Sequence, residues 1–169
     1  MRRYQGFVRS QAPVVPVASK DCTRGARAFA VMLGQGLAVK NENSFMMFPE
    51  LRGAAEAPLL AAMPGGDPVT LYPTKLGLYE LRDASHVFLA ARVFAFLYPT
   101  TAVTDVAGRY RIDGVPVGKA RLDALWALDQ PSVGADIELA AGQVLTVDLT
   151  LSYAAPAADG NQAGAAGRR

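Results

Sequence analysis

His86 is the only histidine in the 169 residues, and Asp83 and Ser85 stand close beside it. An imidazole near a carboxylate is raw material for proton transfer, for a nucleophilic relay or for a metal site. Each reading meets a limit in the sequence. Adjacency alone does not make Ser85 a nucleophile or Asp83 its orienter, and no G-x-S-x-G elbow occurs. A zinc hydrolase would carry H-x-x-E or H-E-x-x-H, and neither is present. The bland role for His86 is a loop histidine hydrogen-bonded locally to Asp83. Cys22 is the single cysteine, which rules out an intrachain disulfide and a four-cysteine zinc site. It reads as an unpaired thiol; a lipid anchor would need a hydrophobic signal before it, and an intermolecular disulfide is the other use. Asp105, Asp113, Asp123 and Glu138 would be the carboxylates for glycoside chemistry, yet their places are turns and solvated strand faces. Arg109 and Arg111 flank Tyr110 as a basic–aromatic edge suited to a glycan or an acidic partner. Alternation turns Tyr110 and Ile112 inward and leaves the two arginines as a solvated face. Trp126 is the sole tryptophan; it falls in step with Leu122 and Ala124, which places it in a core rather than on a ligand. No catalytic residue is assigned, and the chain is expected not to be an enzyme.

The elements that would position these residues are short and extended. Hydrophobic residues make up 51% of the chain, charged residues only 19%, and there are 16 glycines and 11 prolines. That is enough apolar material for a core, with the turn formers of an all-β protein. Net charge is +2, with no basic stripe interleaved with aromatics, so nucleic acid is not an expected partner. No apolar run approaches the roughly 20 residues that span a bilayer. The first fifteen residues are basic without an apolar stretch and do not read as a signal peptide.

Residues Tyr4 to Val8 have the material for a short strand, and the segment Gln11 to Ser19 is broken by two prolines into an extended or edge strand. Ala28 to Leu33 reads as a buried strand, and Leu37 to Asn41 as the next. The aromatic and methionine cluster Phe45 to Pro49 reads as core or pocket lining. Leu51 to Met63 admits a short helix or a loop with one edge strand. After the turn at Pro64 to Pro68, strands are expected at Val69 to Tyr72, Gly77 to Arg82 and Arg92 to Phe96, the last one central. The stretch Ala102 to Gly118 organises the remainder of the chain. Asp105 and Gly108 make a turn, Arg109 to Ile112 alternates as a strand, and Asp113-Gly114 turns again. Further strands are expected at Ala120 to Trp126, Ala135 to Leu139 and Leu145 to Leu151. Ala154 to Arg169 is small and polar without periodicity and reads as a disordered tail.

Two family resemblances rest on these residues. The pattern T-D-x-x-G-x-Y-x-I-x-x-V-P-x-G from Thr104 to Gly118 resembles the carboxypeptidase regulatory-like domain, a prealbumin-like (Ig-like) β-sandwich without catalytic function. Leu37 to Phe96 is similar to a cupredoxin-like, blue-copper sandwich, of the kind fused to regulatory-like domains in bacterial envelope proteins. Val39 to Asn43 resembles the strand and turn before the first histidine ligand, and Gly77 to Leu81 the strand before the ligand loop C-x-x-H-x-x-M. Here that loop is Asp83 to Leu89: Asp83 stands at the thiolate position, Leu89 at the thioether position, and only His86 is kept. The upstream histidine position falls near Met47. A type 1 copper site takes two imidazoles, a thiolate and a weak axial thioether, so the resemblance implies a copper fold whose ligands have gone. No cofactor and no metal are expected; His86, Asp83 and Met47 are the residues left from which a metal site would have to be built.

The sequence therefore predicts an all-β chain. A cupredoxin-like unit over 20–98 packs with a regulatory-like unit over 99–153, a tail covers 154–169, and the segment 1–19 supplies, through Tyr4 to Val17, a first strand to the second unit. The resemblance implies a non-catalytic binding or structural module of a bacterial envelope, periplasmic or extracellular, with a protein or glycan partner. The alternatives are a metal-handling or redox protein with a remodelled site around His86, and an accessory carbohydrate- or peptide-binding domain of an enzyme.

Overall fold

The computed structural model describes residues 14–20, 27–53, 59–87, 89–125 and 132–152. Among these residues every regular element is a strand. They are β1 (Val14–Ser19), β2 (Ala28–Met32), β3 (Gly36–Asn41), β4 (Pro49–Arg52), β5 (Val69–Leu71), β6 (Gly77–Asp83), β7 (Ala90–Phe96), β8 (Gly118–Ala124) and β9 (Val133–Leu139).

One sheet has the order β1-β3-β5, with β1 parallel and β5 antiparallel to β3. A second has the order β2-β7-β6-β4, with β2 parallel to β7 and the other neighbours antiparallel. The strand period of two sends alternate side chains between these sheets. Val17, Leu37, Val39 and Leu71 come from the first sheet, and Val31, Leu51, Tyr79, Leu81, Ala91, Val93 and Ala95 from the second; all belong to one core with Met47, Ala62 and Leu89. Each large aliphatic chain buried here stabilises the fold by about 1.5–3 kcal/mol.

The two ends of the sandwich differ. At one end β3 finishes, β4 begins, and β6 passes to β7. At the other β2 and β7 finish, while β3 and β6 begin. There Leu33 N–H donates to the Phe96 carbonyl at 2.8 Å, and a Cβ on Gly36 would collide with the side chains of Thr70 and Tyr72. Leu33, Tyr72, Leu76, Leu97 and Tyr98 are exposed around this end.

Most strands fall where the sequence puts them, and Arg92 to Phe96 lies in β7, inside its sheet. Leu51 to Met63 shows no helix among its described residues; it opens with edge strand β4 and closes with a single bridge between Met47 and Ala62. Val14 to Val17 differs from expectation. It pairs with Gly36 to Val39 in the first unit, because the alternation of Val15 and Val17 matches Leu37 and Val39. The rest of the segment, with its strand at Tyr4 to Val8, lies outside the described residues.

Beyond the sandwich, β8 and β9 pair as an antiparallel ribbon from Gly118↔Leu139 to Ala124↔Val133. Its residues alternate between half-buried (Ala120, Leu122, Ile137, Leu139) and exposed (Lys119, Arg121, Asp136, Glu138). Arg109 to Ile112 and Leu145 to Leu151 form no ladder. The physical reason is local: Gly108 and Gly114 both take positive φ, 79° and 74°, and turn the chain at each end of a very short run. Tyr110 is 38% exposed rather than core-facing, and its hydroxyl donates to the Val147 carbonyl at 2.6 Å. Ile112 is half-buried. The core place expected for Trp126 and the tail at 154–169 lie outside the described residues.

Candidate functional site

Asp83 is the last residue of β6, at the end of the sandwich where that strand passes to β7. Its alternation with Leu81 and Tyr79 points it inward, and its side chain has no exposed surface. A carboxylate so placed must be satisfied by hydrogen bonds. Four N–H groups do this. Oδ1 accepts from Ser85 N at 2.8 Å, from His86 N at 2.7 Å and from His86 Nδ1 at 2.8 Å. Oδ2 accepts from Phe48 N at 2.6 Å. The two bonds to Ser85 and His86 close an Asx-type turn. The bond to Phe48 clips that turn to the segment before β4. Ala84 N–H donates to the Phe48 carbonyl at 2.9 Å and Asp83 N–H to the Leu89 carbonyl at 3.3 Å, so the loop is tied at both ends.

The pairing also fixes the imidazole. A carboxylate taking donors on every side is an acceptor, so Nδ1 carries the proton toward it. The His86 ring lies 4.5 Å from the Phe45 ring, centroid to centroid, at 36°. Its side chain is about one-third exposed, at 33%.

Asn41 organises the other side. It is 1% exposed and its Nδ2 donates to the carbonyls of Phe45 and Ala62, both at 2.8 Å. Its Oδ1 accepts from Asn43 N at 3.0 Å. Asn43 in turn donates to Ser19 and Asn41 and brings Nδ2 to 3.2 Å from Met47 Sδ. Its Oδ1 is buried without a partner.

Of Asp83, His86 and Met47, the structure brings the first two into contact. Met47 is fully buried with its sulfur against Asn43. Among the described residues no three His, Cys, Asp or Glu side chains are grouped to hold a metal ion. The donor set does not fit type 1 copper: it offers one imidazole, a hard carboxylate already carrying four hydrogen bonds, and no thiolate in the loop. Cys22 lies outside the described residues.

The other candidates stay apart. Asp105 accepts from Ala107 N and Arg109 N, each at 2.9 Å, and pairs with the Arg109 guanidinium. The Arg109 backbone N–H, first among these, holds its carboxyl below the usual aspartate range. Arg111 pairs with Asp113 and Arg121 with Asp123. Glu138 is exposed opposite Lys119 on the ribbon. These are turn and strand-face carboxylates, and Asp105, Asp113 and Asp123 are each engaged close to home. Arg109 and Arg111 do point outward, with side chains 82% and 79% exposed.

Sequence reasoning missed how many donors Asp83 gathers. The signal was present in D-x-S-H, an Asx-turn spacing, but the cross-strand donor from Phe48 is legible only in three dimensions. It also missed the exposed apolar end with Tyr72 and Tyr98, whose residues come from separate parts of the chain.

No family model and no curated protein matches the sequence. Solved structures similar to the chain include the reduced state of an amicyanin mutant, 14% identical over 52% of this chain and 87% of that one, with a TM-score of 0.41. An oxidized amicyanin mutant is 16% identical over 51% and 85%, with a TM-score of 0.42. A reduced amicyanin mutant is 18% identical over 53% and 87%, with a TM-score of 0.38. The sandwich architecture itself stands on the strand pairings given above.

Proposed function

We propose that the chain is a non-catalytic binding module whose sandwich is kept for its shape. The observation that carries this reading is the Asp83 carboxylate: it is buried and filled by four N–H donors of its own fold. A group used in this way holds a loop closed. The surface available for a partner is then the opposite end, where Tyr72 and Tyr98 stand exposed with Leu33, Leu76 and Leu97. Exposed aromatics grouped with aliphatics are the usual dress of a recognition patch. The resemblance to envelope proteins suggests a periplasmic or extracellular setting and a glycan or protein partner. No helix of the described residues is long and apolar enough to cross a membrane.

A metal-handling role is the second reading, and the Asp83–His86 contact is what favours it. Copper(II) titration of the protein beside a His86→Ala variant separates the two. The binding-module reading expects no stoichiometric copper site that depends on His86. Stoichiometric binding lost in the variant would overturn it. A Tyr72→Ser/Tyr98→Ser variant, tested against envelope glycans and by crosslinking for protein partners, then examines the recognition patch. Binding unaffected by the substitutions would remove that patch from the proposal.

A further inference from the structure

Met46 and Met63 flank the Met47–Ala62 bridge, both exposed on the outside of the sandwich, at the same end as the Asp83 loop. Met47 and Ala62 exchange two backbone hydrogen bonds, Met47 N to Ala62 O at 3.1 Å and Ala62 N to Met47 O at 2.8 Å. The bridge is isolated and Pro64 has no N–H to extend it, so Met46 and Met63 flank a single pair on neighbouring segments. Their side chains project to the side opposite Met47 and Ala62. Burial obeys that alternation: Met47 and Ala62 have no exposed surface, whereas Met46 is 42% and Met63 57% exposed.

A single nitrogen sets the spacing. The carbonyls that Asn41 Nδ2 holds, those of Phe45 and Ala62, belong to the peptide groups whose N–H groups are those of Met46 and Met63. Both methionines therefore start from backbone gripped by one buried amide. The chain after Met63 is also held. Gly66 N–H donates to the Met63 carbonyl at 3.0 Å, and Lys40 Nζ donates to the carbonyls of Gly65 and Gly66 at 3.1 and 2.6 Å.

Two long, unbranched thioethers on rigid neighbouring stems can bring both sulfurs to one ion. Neutral sulfur donors select soft ions such as Cu(I) over hard dications, and the nearby Lys40 ammonium adds to the bias against a dication. We propose that Met46 and Met63 form a two-sulfur site for a soft univalent cation, Cu(I), on the outer surface of the sandwich. It is separate from the Asp83–His86 contact and leaves further coordination positions open to solvent or to a donor from a partner.

Silver(I) tests this without redox chemistry. The Cys22 thiol would compete for silver, so all proteins carry Cys22→Ser. The readout is the methyl signal of each of the 5 methionines, monitored by NMR as silver(I) is added. The expected result is one equivalent bound, with the Met46 and Met63 methyls moving and the Met47 methyl still. Met46→Leu or Met63→Leu should each weaken binding by about tenfold or more, the range in which metal sites respond to lost support. His86→Ala should leave it unchanged. Anaerobic Cu(I) titration against a chromogenic chelator should give the same order among the variants. Three results would overturn the proposal: no silver bound, binding indifferent to both leucine variants, or binding lost with His86. The last would place the ion in the Asp83 loop. Leucine at either exposed position leaves the core untouched, so loss of binding would not reflect loss of fold.

Discussion

The backbone N–H of Phe48 meets Asp83 Oδ2 at 2.6 Å, joining the segment before β4 to the loop after β6. With His86 and Ser85 on the other oxygen, Asp83 becomes the fastening of one end of the sandwich. Asp83→Ala would leave three backbone N–H groups without their acceptor. A fully buried unmet donor costs about 1–3 kcal/mol; these three are only partly buried, so a loss of about 1–3 kcal/mol in all is expected in denaturant unfolding. Asp83→Asn keeps the size but places an amide NH₂ against either Phe48 N–H or the His86 side, and should fall between wild type and alanine. An alanine variant as stable as wild type would remove Asp83 from this role.

Gly36 sits where a Cβ would strike Thr70 and Tyr72. Gly36→Ala should destabilise the protein by roughly 1–3 kcal/mol, as overpacking does. Thr70→Ser removes the methyl group in the way and should recover part of that loss. A double-mutant cycle by thermal or denaturant unfolding measures the coupling; strict additivity would mean the two residues do not meet.

The Asp105 carboxyl is held below its usual range mainly by the Arg109 backbone N–H. Linkage fixes the sign. A carboxylate whose folded pKa is depressed adds stability that is present above its unfolded pKa and is lost as pH falls through the folded value. The group is exposed, so the effect belongs to the local turn. The Asp105 side-chain carbon should titrate by NMR below an ordinary aspartate, and Asp105→Asn should abolish that transition while loosening the turn at Val106 to Gly108. A midpoint at or above the ordinary value would contradict the hydrogen bonds described.

Among the described residues beyond Ala95, none is fully buried. Amide exchange should report that gradient. The β6–β7 ladder is expected to exchange slowest and β8–β9 faster. Residues 102–117 and 143–152, which have no ladder, should be fastest. Equal protection in the ribbon and the sandwich would show a core in the second unit that the described residues lack.

Leu81→Ala and Val93→Ala each remove a side chain with no exposed surface. Large-to-small changes at such sites cost about 2–5 kcal/mol for leucine and less for the smaller valine. Urea unfolding of both variants checks that these two residues anchor the core.

Much of the sandwich was legible because its strands carry their own period. Val39, Leu81 and Val93 sit at alternating positions that admit little else, and glycines or prolines close most of these runs. What was not legible depended on partners distant in sequence. Val14 to Ser19 reads as an extended edge from its prolines, but only its neighbour β3 decides which sheet it joins. Arg109 to Ile112 alternates as well as many true strands do, yet alternation needs a facing ladder, and Tyr110 finds only the Val147 carbonyl. At the site, residue types alone showed a single histidine and no cysteine in the Asp83 to Leu89 loop. The use made of Asp83 was not legible, since its fourth donor is brought by a segment 35 positions earlier.

The parallel pairing of β2 with β7 sets Ala28 beside Arg92, with four other strands intervening in the chain. The second sheet cannot close until nearly the whole sandwich has been synthesised. A nascent chain emerging from the ribosome therefore carries β2 as an unpaired apolar strand through most of its elongation. Closing so large a loop before any contact repays it makes folding slow. In the interval that strand is the part most apt to aggregate or to engage a chaperone.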